Sequence, residues 1–137
     1  IGEWLGEQFA YSLQSKGRFA AVEIIIPVPL HPSRIKFRGF NQCDAIARGM
    51  ASVLQIPIAN GILIRSIATQ SQTKKNRFQR FENMNSVFDV ALADGIKGKH
   101  VLLLDDVLTT GATLVSAAQV LAKAGVQHIY IGAIAKA

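Results

Sequence analysis

Four apolar residues, Val101 to Leu104, run directly into two adjacent carboxylates, Asp105 and Asp106, and then into a turn of small and hydroxyl-bearing residues, Thr109, Thr110, Gly111, Ala112 and Thr113. A continuous apolar run reads as a strand covered on both faces, as in a parallel sheet. Helical spacing follows the turn, and in open α/β sheets ligands gather beyond the carboxyl ends of the strands. Two kinds of group therefore meet at one edge. Carboxylates accept hydrogen bonds from sugar hydroxyls or hold a hydrated Mg²⁺, while N–H groups and hydroxyls at a helix start suit a phosphate. A sugar phosphate uses both. Singly, an acid pair is commonly a solvated turn and a Thr-Thr-Gly run a helix cap; their joint order carries the reading. The chain holds no G-x-x-x-x-G-K-[ST] and no G-x-G-x-x-G, which disfavours a P-loop or dinucleotide site.

The 137 residues fit one domain, 1–137, and half of them are apolar, enough for an ordinary interior. No apolar run reaches the roughly 18 residues of a membrane span, and the first residues, with Glu3 and Glu7, lack the basic start of a signal peptide. A cytoplasmic protein is expected. The single cysteine, Cys43, rules out a disulfide framework within these residues. Its place near a helix start makes a lowered thiol pKa conceivable, but a small buried apolar residue is the preferred expectation. The formal charge is +6, and no acid stands between Asp44 and Glu82, where Arg48, Arg65, Lys74, Lys75, Arg77 and Arg80 lie. Such a stretch is either a solvated face or a surface for a polyanion, whether a small phosphate ester or a nucleic acid.

Spacing predicts a helix over 3–15 with Leu5, Phe9 and Leu13 on one stripe and Trp4 and Tyr11 beside it. Glu23 to Leu30 reads as a strand stopped by prolines. A loop over 31–40 holds His31 and Arg38, and Asn41 is expected to cap a helix to about Leu54, with Ile46, Met50 and Leu54 four apart. Short strands are expected at Ile62–Arg65 and Ser86–Val90. The polar, cationic stretch between them is too long for an ordinary connection and is expected to be functional or mobile. A helix after Gly111 should bury Leu114, Ala117, Ala118 and Leu121 before Gly125, and His128 to Ala135 should be the last strand. His100 and His128 flank strands and look structural, and the three histidines look too scattered for a metal site. Alternating strands and helices imply an α/β fold with a mostly parallel central sheet and helices on both faces.

The stretch from Val101 to Thr113 resembles the phosphoribosyl-pyrophosphate (PRPP) motif of the type I phosphoribosyltransferases. The resemblance implies that fold in a single domain, an N-terminal helix within 1–20, and a flexible hood loop over 69–83. By the same resemblance Asp105 and Asp106 are the catalytic acids that hold the ribose hydroxyls and, indirectly, Mg²⁺. Leu108, Thr109, Thr110, Gly111, Ala112 and Thr113 form the 5′-phosphate loop. Pro27 to His31, Arg38 to Gln42, and Gln72, Arg80, Asn83 and Phe88 are similar to the competence protein F group, also labelled predicted amidophosphoribosyltransferases. Where that group has an apolar residue three positions after the glutamine, this chain has Lys75. Its members commonly carry a cysteine-rich, zinc-finger-like segment ahead of this domain, which these residues do not contain.

The resemblance implies binding of PRPP with Mg²⁺ and transfer of phosphoribosyl to an acceptor with release of pyrophosphate. Arg38 is placed like the pyrophosphate loop, and Lys74, Lys75, Arg77 and Arg80 like the hood that covers it. Glutamine-dependent amide transfer by these residues alone is not expected, because Cys43 is internal and no second domain accompanies it. The alternative is a non-catalytic PRPP- or nucleotide-binding module in DNA uptake, acting through a helicase-type partner or single-stranded DNA. Stacking platforms for the latter are sparse, with Phe78 and Phe81 the only aromatics among the basic residues. A homodimer is compatible with either reading.

Overall fold

A three-stranded parallel sheet in the order β1-β4-β5 forms the centre of the molecule. The structure, a computed structural model, describes residues 1–17, 20–30, 42–65, 87–108 and 110–136. In chain order the elements are α1 (Gly2–Ser15), β1 (Ile24–Pro27), α2 (Gln42–Leu54), β2 (Leu63–Arg65) and β3 (Phe88–Val90). A short 3₁₀ turn at Ala93–Gly95 leads into β4 (His100–Leu108), α3 (Ala112–Lys123) and β5 (His128–Lys136). Ile24, Ile25, Ile26 and Pro27 pair in register with Val101, Leu102, Leu103 and Leu104. A single bridge from Ile25 to Ile58 adds one further parallel contact on β1's other side.

The sheet is covered on both faces because its strands alternate two apolar sets. Ile24, Ile26, Val101 and Leu103 pack against Leu114, Ala117 and Leu121 of α3. Ile25, Leu102 and Leu104 face the other way, onto Ala10 and Leu13 of α1 and Ile46, Ala47 and Met50 of α2. Burial of both sets is what turns an unbroken apolar run into a central strand rather than an edge. The strand expected over 23–30 is shorter, 24–27, while the helices expected to about Leu54 and after Gly111 and the strand expected over 128–135 appear at 42–54, 112–123 and 128–136; Leu54 and Ala118 are only half-buried.

Four expectations change. The short strands β2 and β3 pair antiparallel in a separate two-stranded ribbon, so the parallel rule holds only for the central sheet. Strand β4 continues through the acid pair to Leu108, because β5 keeps pairing with it there: Asp105 lies opposite Ala133 and Val107 opposite Ala135. Trp4 and Tyr11 are 60% and 56% exposed, since α1 turns Gly6, Ala10 and Leu13 inward and approaches α2 through its small residues. His100 and His128 are not scattered: they are register partners, with ring centroids 5.8 Å apart, and Tyr130 lies 4.5 Å from His128. The loop 31–40, Asn41, Ser86 and the hood segment 69–83 lie outside the described residues. No helix among the described residues is long and apolar enough to cross a membrane.

Candidate functional site

Strand β1 stops one residue short of the acid pair. Pro27 is opposite Leu104, and Val28 makes one last backbone bond, donating to the Leu104 carbonyl at 2.8 Å. On β1's other side Ile25 donates to the Pro57 carbonyl at 2.9 Å, and Pro27 and Pro29, which follow it on that side, have no N–H to carry the pairing further. Asp105 and Asp106 are therefore held by β5 on one side while the other side opens beyond the end of β1. Both residues are half-buried.

Asp105 is the better-fixed carboxylate. Its Oδ1 accepts the Asp106 backbone N–H at 2.8 Å and faces the Cys43 Sγ at 3.8 Å, the thiol donating. Burial, helped by the neighbouring Asp106 carboxyl, pushes the Asp105 pKa above the ordinary aspartate value. Cys43 comes from the first turn of α2 and is 2% exposed. Burial first, then the charges of Asp106 and Asp105, push its thiol far up rather than down. The expectation of a small buried residue stands, and the lowered pKa is corrected: burial, with two carboxylates beside it, outweighs the helix terminus. Cys43 in the folded chain is thus expected to resist iodoacetamide at pH 7.5, with one equivalent labelled only after denaturation. Rapid labelling of the native protein would contradict the burial.

The second half of the site follows β4. Gly111, with φ of +84°, caps α3, and the left-handed backbone there explains why a glycine stands at this position. The Thr110 hydroxyl accepts the Ala112 N–H at 3.2 Å, and the first turn of α3 holds no acidic residue. Thr110, Ala112 and Thr113 are exposed, and Leu108 is half-buried. A helix start presents N–H groups without intrahelical partners, a positive end that attracts anions. One connection thus places two carboxylates and an anion-attracting helix end a few residues apart.

Cys43, Asp105 and Asp106 bring their ligand atoms within 4.8 Å of one another, the one such cluster among the described residues. Carboxylate oxygens suit a hard cation that keeps several waters, such as Mg²⁺. A protonated, buried thiol does not, so the acids fit Mg²⁺ and Cys43 acts toward Asp105 instead. Beside β1 lies a cavity of about 350 Å³ between Pro27, Pro29, Ile58 and Leu63, with Asp44 and Arg48 in its wall. Burial raises the Asp44 pKa, partly countered by Arg48, which is also held by Glu3 at 3.0 Å.

Of the sequence-predicted site residues, the structure brings Asp105, Asp106, Leu108, Thr110, Gly111, Ala112 and Thr113 together at one sheet edge. Thr109, Arg38, Lys74, Lys75, Arg77 and Arg80 lie outside the described residues. Sequence reasoning missed the contact of Cys43 with Asp105, which spans 62 positions. It also missed Arg65, whose Nε donates to the Pro29 carbonyl at 2.8 Å.

Comparisons with known proteins show the family and the fold. The phosphoribosyl transferase domain family matches residues 41–137. Competence protein F of Haemophilus influenzae is 36% identical over 116 residues, which cover 84% of this chain and 51% of that protein. The DNA utilization protein YhgH of Escherichia coli O157:H7 is 32% identical over 107 residues, 78% of this chain and 46% of its own length. The chain spans about half the length of these curated relatives. Among solved structures, the glutamine PRPP amidotransferase of B. subtilis, complexed with ADP and GMP, superposes with a TM-score of 0.63 at 17% identity. That match covers 97% of this chain and 26% of the other, and it establishes the fold.

Proposed function

The chain belongs to the phosphoribosyl transferase domain family, and from that premise we propose that it binds PRPP with Mg²⁺ and transfers phosphoribosyl to an acceptor, releasing pyrophosphate. The observation that carries the reading is the acid pair at the open end of β4, followed at once by the glycine-capped start of α3. In this reading residues 1–137 form one phosphoribosyltransferase domain, with 69–83 as its hood loop.

Each group has a task set by its chemistry. The N–H groups and hydroxyls of residues 108–113 hold the 5′-phosphate, whose charge the helix end favours. Asp105 and Asp106 accept the ribose hydroxyls, and the bonds from Asp106 N–H and Cys43 keep Asp105 in one orientation. Held from both ends, the ribose has C1′ fixed relative to the protein, which converts binding into orientation. Cleavage of the C1′–O bond places negative charge on the leaving pyrophosphate, and Arg38, Lys74, Lys75, Arg77 and Arg80 are the donors assigned to it. Mg²⁺, held through Asp105 and Asp106 and the substrate's own oxygens, supplies further charge neutralisation when bound. Closure of the hood excludes water from the oxocarbenium-like centre.

A second reading has its own support. Relatives at 32–36% identity are named for competence and DNA utilization. A PRPP- or nucleotide-binding module without turnover, working with a DNA-uptake partner or single-stranded DNA in the cytoplasm, fits those names and the +6 charge. Pyrophosphate release distinguishes the two. With PRPP, Mg²⁺ and a panel of nucleobases and amines, at least one acceptor is expected to give release above the acceptor-free rate. PRPP binding without release from any acceptor selects the module.

A further inference from the structure

Arg65 joins two parts of the fold that no strand pairing connects among the described residues. It ends β2, opposite Phe88 of β3, and its guanidinium lies over the Phe88 ring at 4.9 Å from the centroid. Phe88 is itself 1% exposed and belongs to the core beneath α3. The same side chain reaches away from the ribbon to the chain leaving β1, where Nε donates to the Pro29 carbonyl at 2.8 Å. One end of this link is anchored in the core and the other on irregular backbone just past the last β1 bond. Between them, Pro29, Leu63 and Ile64 line the same 350 Å³ cavity.

The position in the chain gives the link its meaning. Pro29 stands two residues before the segment 31–41, which contains Arg38, and Arg65 stands directly before 66–86, which contains Lys74, Lys75, Arg77 and Arg80. The proposed pyrophosphate donors thus all lie on two stretches of chain that depart from either end of a single hydrogen bond. Resting on the function proposed above, we infer that Arg65 is a positioning residue: it clasps the base of the β2–β3 ribbon to the chain after β1. The departure points of both donor-bearing stretches are then set by one side chain. A guanidinium suits both jobs at once, because its flat face covers a ring while its in-plane N–H reaches a carbonyl. The ribose and 5′-phosphate groups stand on β4 and at the start of α3, and Arg65 touches none of them: its two contacts are the Phe88 ring and the Pro29 carbonyl.

That separation makes the test specific. Arg65→Met keeps length and apolar bulk but removes the donor and the charge, and Arg65→Lys keeps a cation without the Nε donor. Hydrogen exchange on the free proteins is expected to rise in peptides covering 24–30 and 87–92 in both variants, and to stay unchanged in 128–136, the strand separated from β1 by β4. With Mg²⁺ present, Arg65→Met is expected to weaken pyrophosphate binding about tenfold, the scale of one charge-assisted hydrogen bond, with ribose 5-phosphate binding unchanged. Unaltered exchange at 24–30 in both variants overturns the clasp, as does an equal loss of both ligands, which marks general loosening. If the wild type binds neither ligand, the proposed function fails, and the clasp is judged on exchange alone. If Arg65→Met does not fold, Arg65→Lys carries the comparison.

Discussion

Gly49→Ala lowers the melting temperature by roughly 5–10 °C, although alanine is the better helix former. A Cβ at Gly49 meets the Glu3 carbonyl oxygen at 2.0 Å and the Glu7 nitrogen at 2.8 Å; one at Gly6 meets the Ile46 carbonyl oxygen at 2.0 Å. All of these are backbone atoms, so no side chain can swing away. Helices α1 and α2 must part instead, and with them Ala10, Leu13, Ala47 and Met50, the layer covering one face of the sheet. Relief of glycine's entropy cost returns about 1 kcal/mol, whereas overpacking costs about 1–3 kcal/mol and occasionally more where only backbone can move. With only backbone in the way the cost lies at the top of that range, about 3 kcal/mol, which leaves a net loss of about 2 kcal/mol. Gly95→Ala is the control: its Cβ finds only Ile62 Cδ1 at 3.5 Å, an ordinary contact. Thermal denaturation of both variants decides the matter. Equal melting temperatures would show that α1 and α2 are not packed backbone to backbone.

Asp105→Asn/Asp106→Asn is expected to lose PRPP affinity by about 100-fold or more while leaving the fold as stable as before, or more so. Amides still bond to hydroxyls, but they cannot return the charge that hydrogen bonds to an ionised acceptor and a metal both use. The stability half follows from the raised Asp105 pKa. A group that holds its proton more tightly folded than unfolded adds stability that is fully present below the ordinary aspartate pKa. That contribution is lost as pH rises through the raised value. Above that raised value the ionised Asp105 is a cost to the folded chain, and asparagine removes it. Melting measured from pH 4 to 8 should show the variant gaining on the wild type as pH rises. A variant that loses ground instead would mean that the acids serve the fold rather than a ligand.

What could be read from the sequence was set by locality. Val101 to Leu104 announced a central strand because burial on both faces needs an unbroken apolar run, and the glycine and threonines after it placed the helix start. Helical spacing put Leu13 on the buried side of α1, but it favoured Leu5 and Phe9 over Gly6 and Ala10. Apolar periodicity scores bulk, while close helix contact selects for its absence. The same blindness left Trp4 and Tyr11 on the wrong side of the ledger. Nothing in the spacing between Cys43 and Asp105 reveals a contact, since α2 and β4 meet only through the fold. Strand β4 ran past its expected end because pairing with β5, a property of the partner, carried it through two charged residues. The antiparallel pairing of β2 and β3 was hidden for a related reason. Twenty-two residues separate the two strands, so no hairpin turn signal links them.

Calorimetric titration of PRPP with Mg²⁺ into the wild-type chain and the Asp105→Asn/Asp106→Asn variant addresses the proposed site most directly. Saturable heat at micromolar concentration from the wild type, absent from an equally well-folded variant, is the predicted outcome. A flat titration with the folded wild type, or equal binding by both proteins, would contradict the assignment of the acid pair to PRPP.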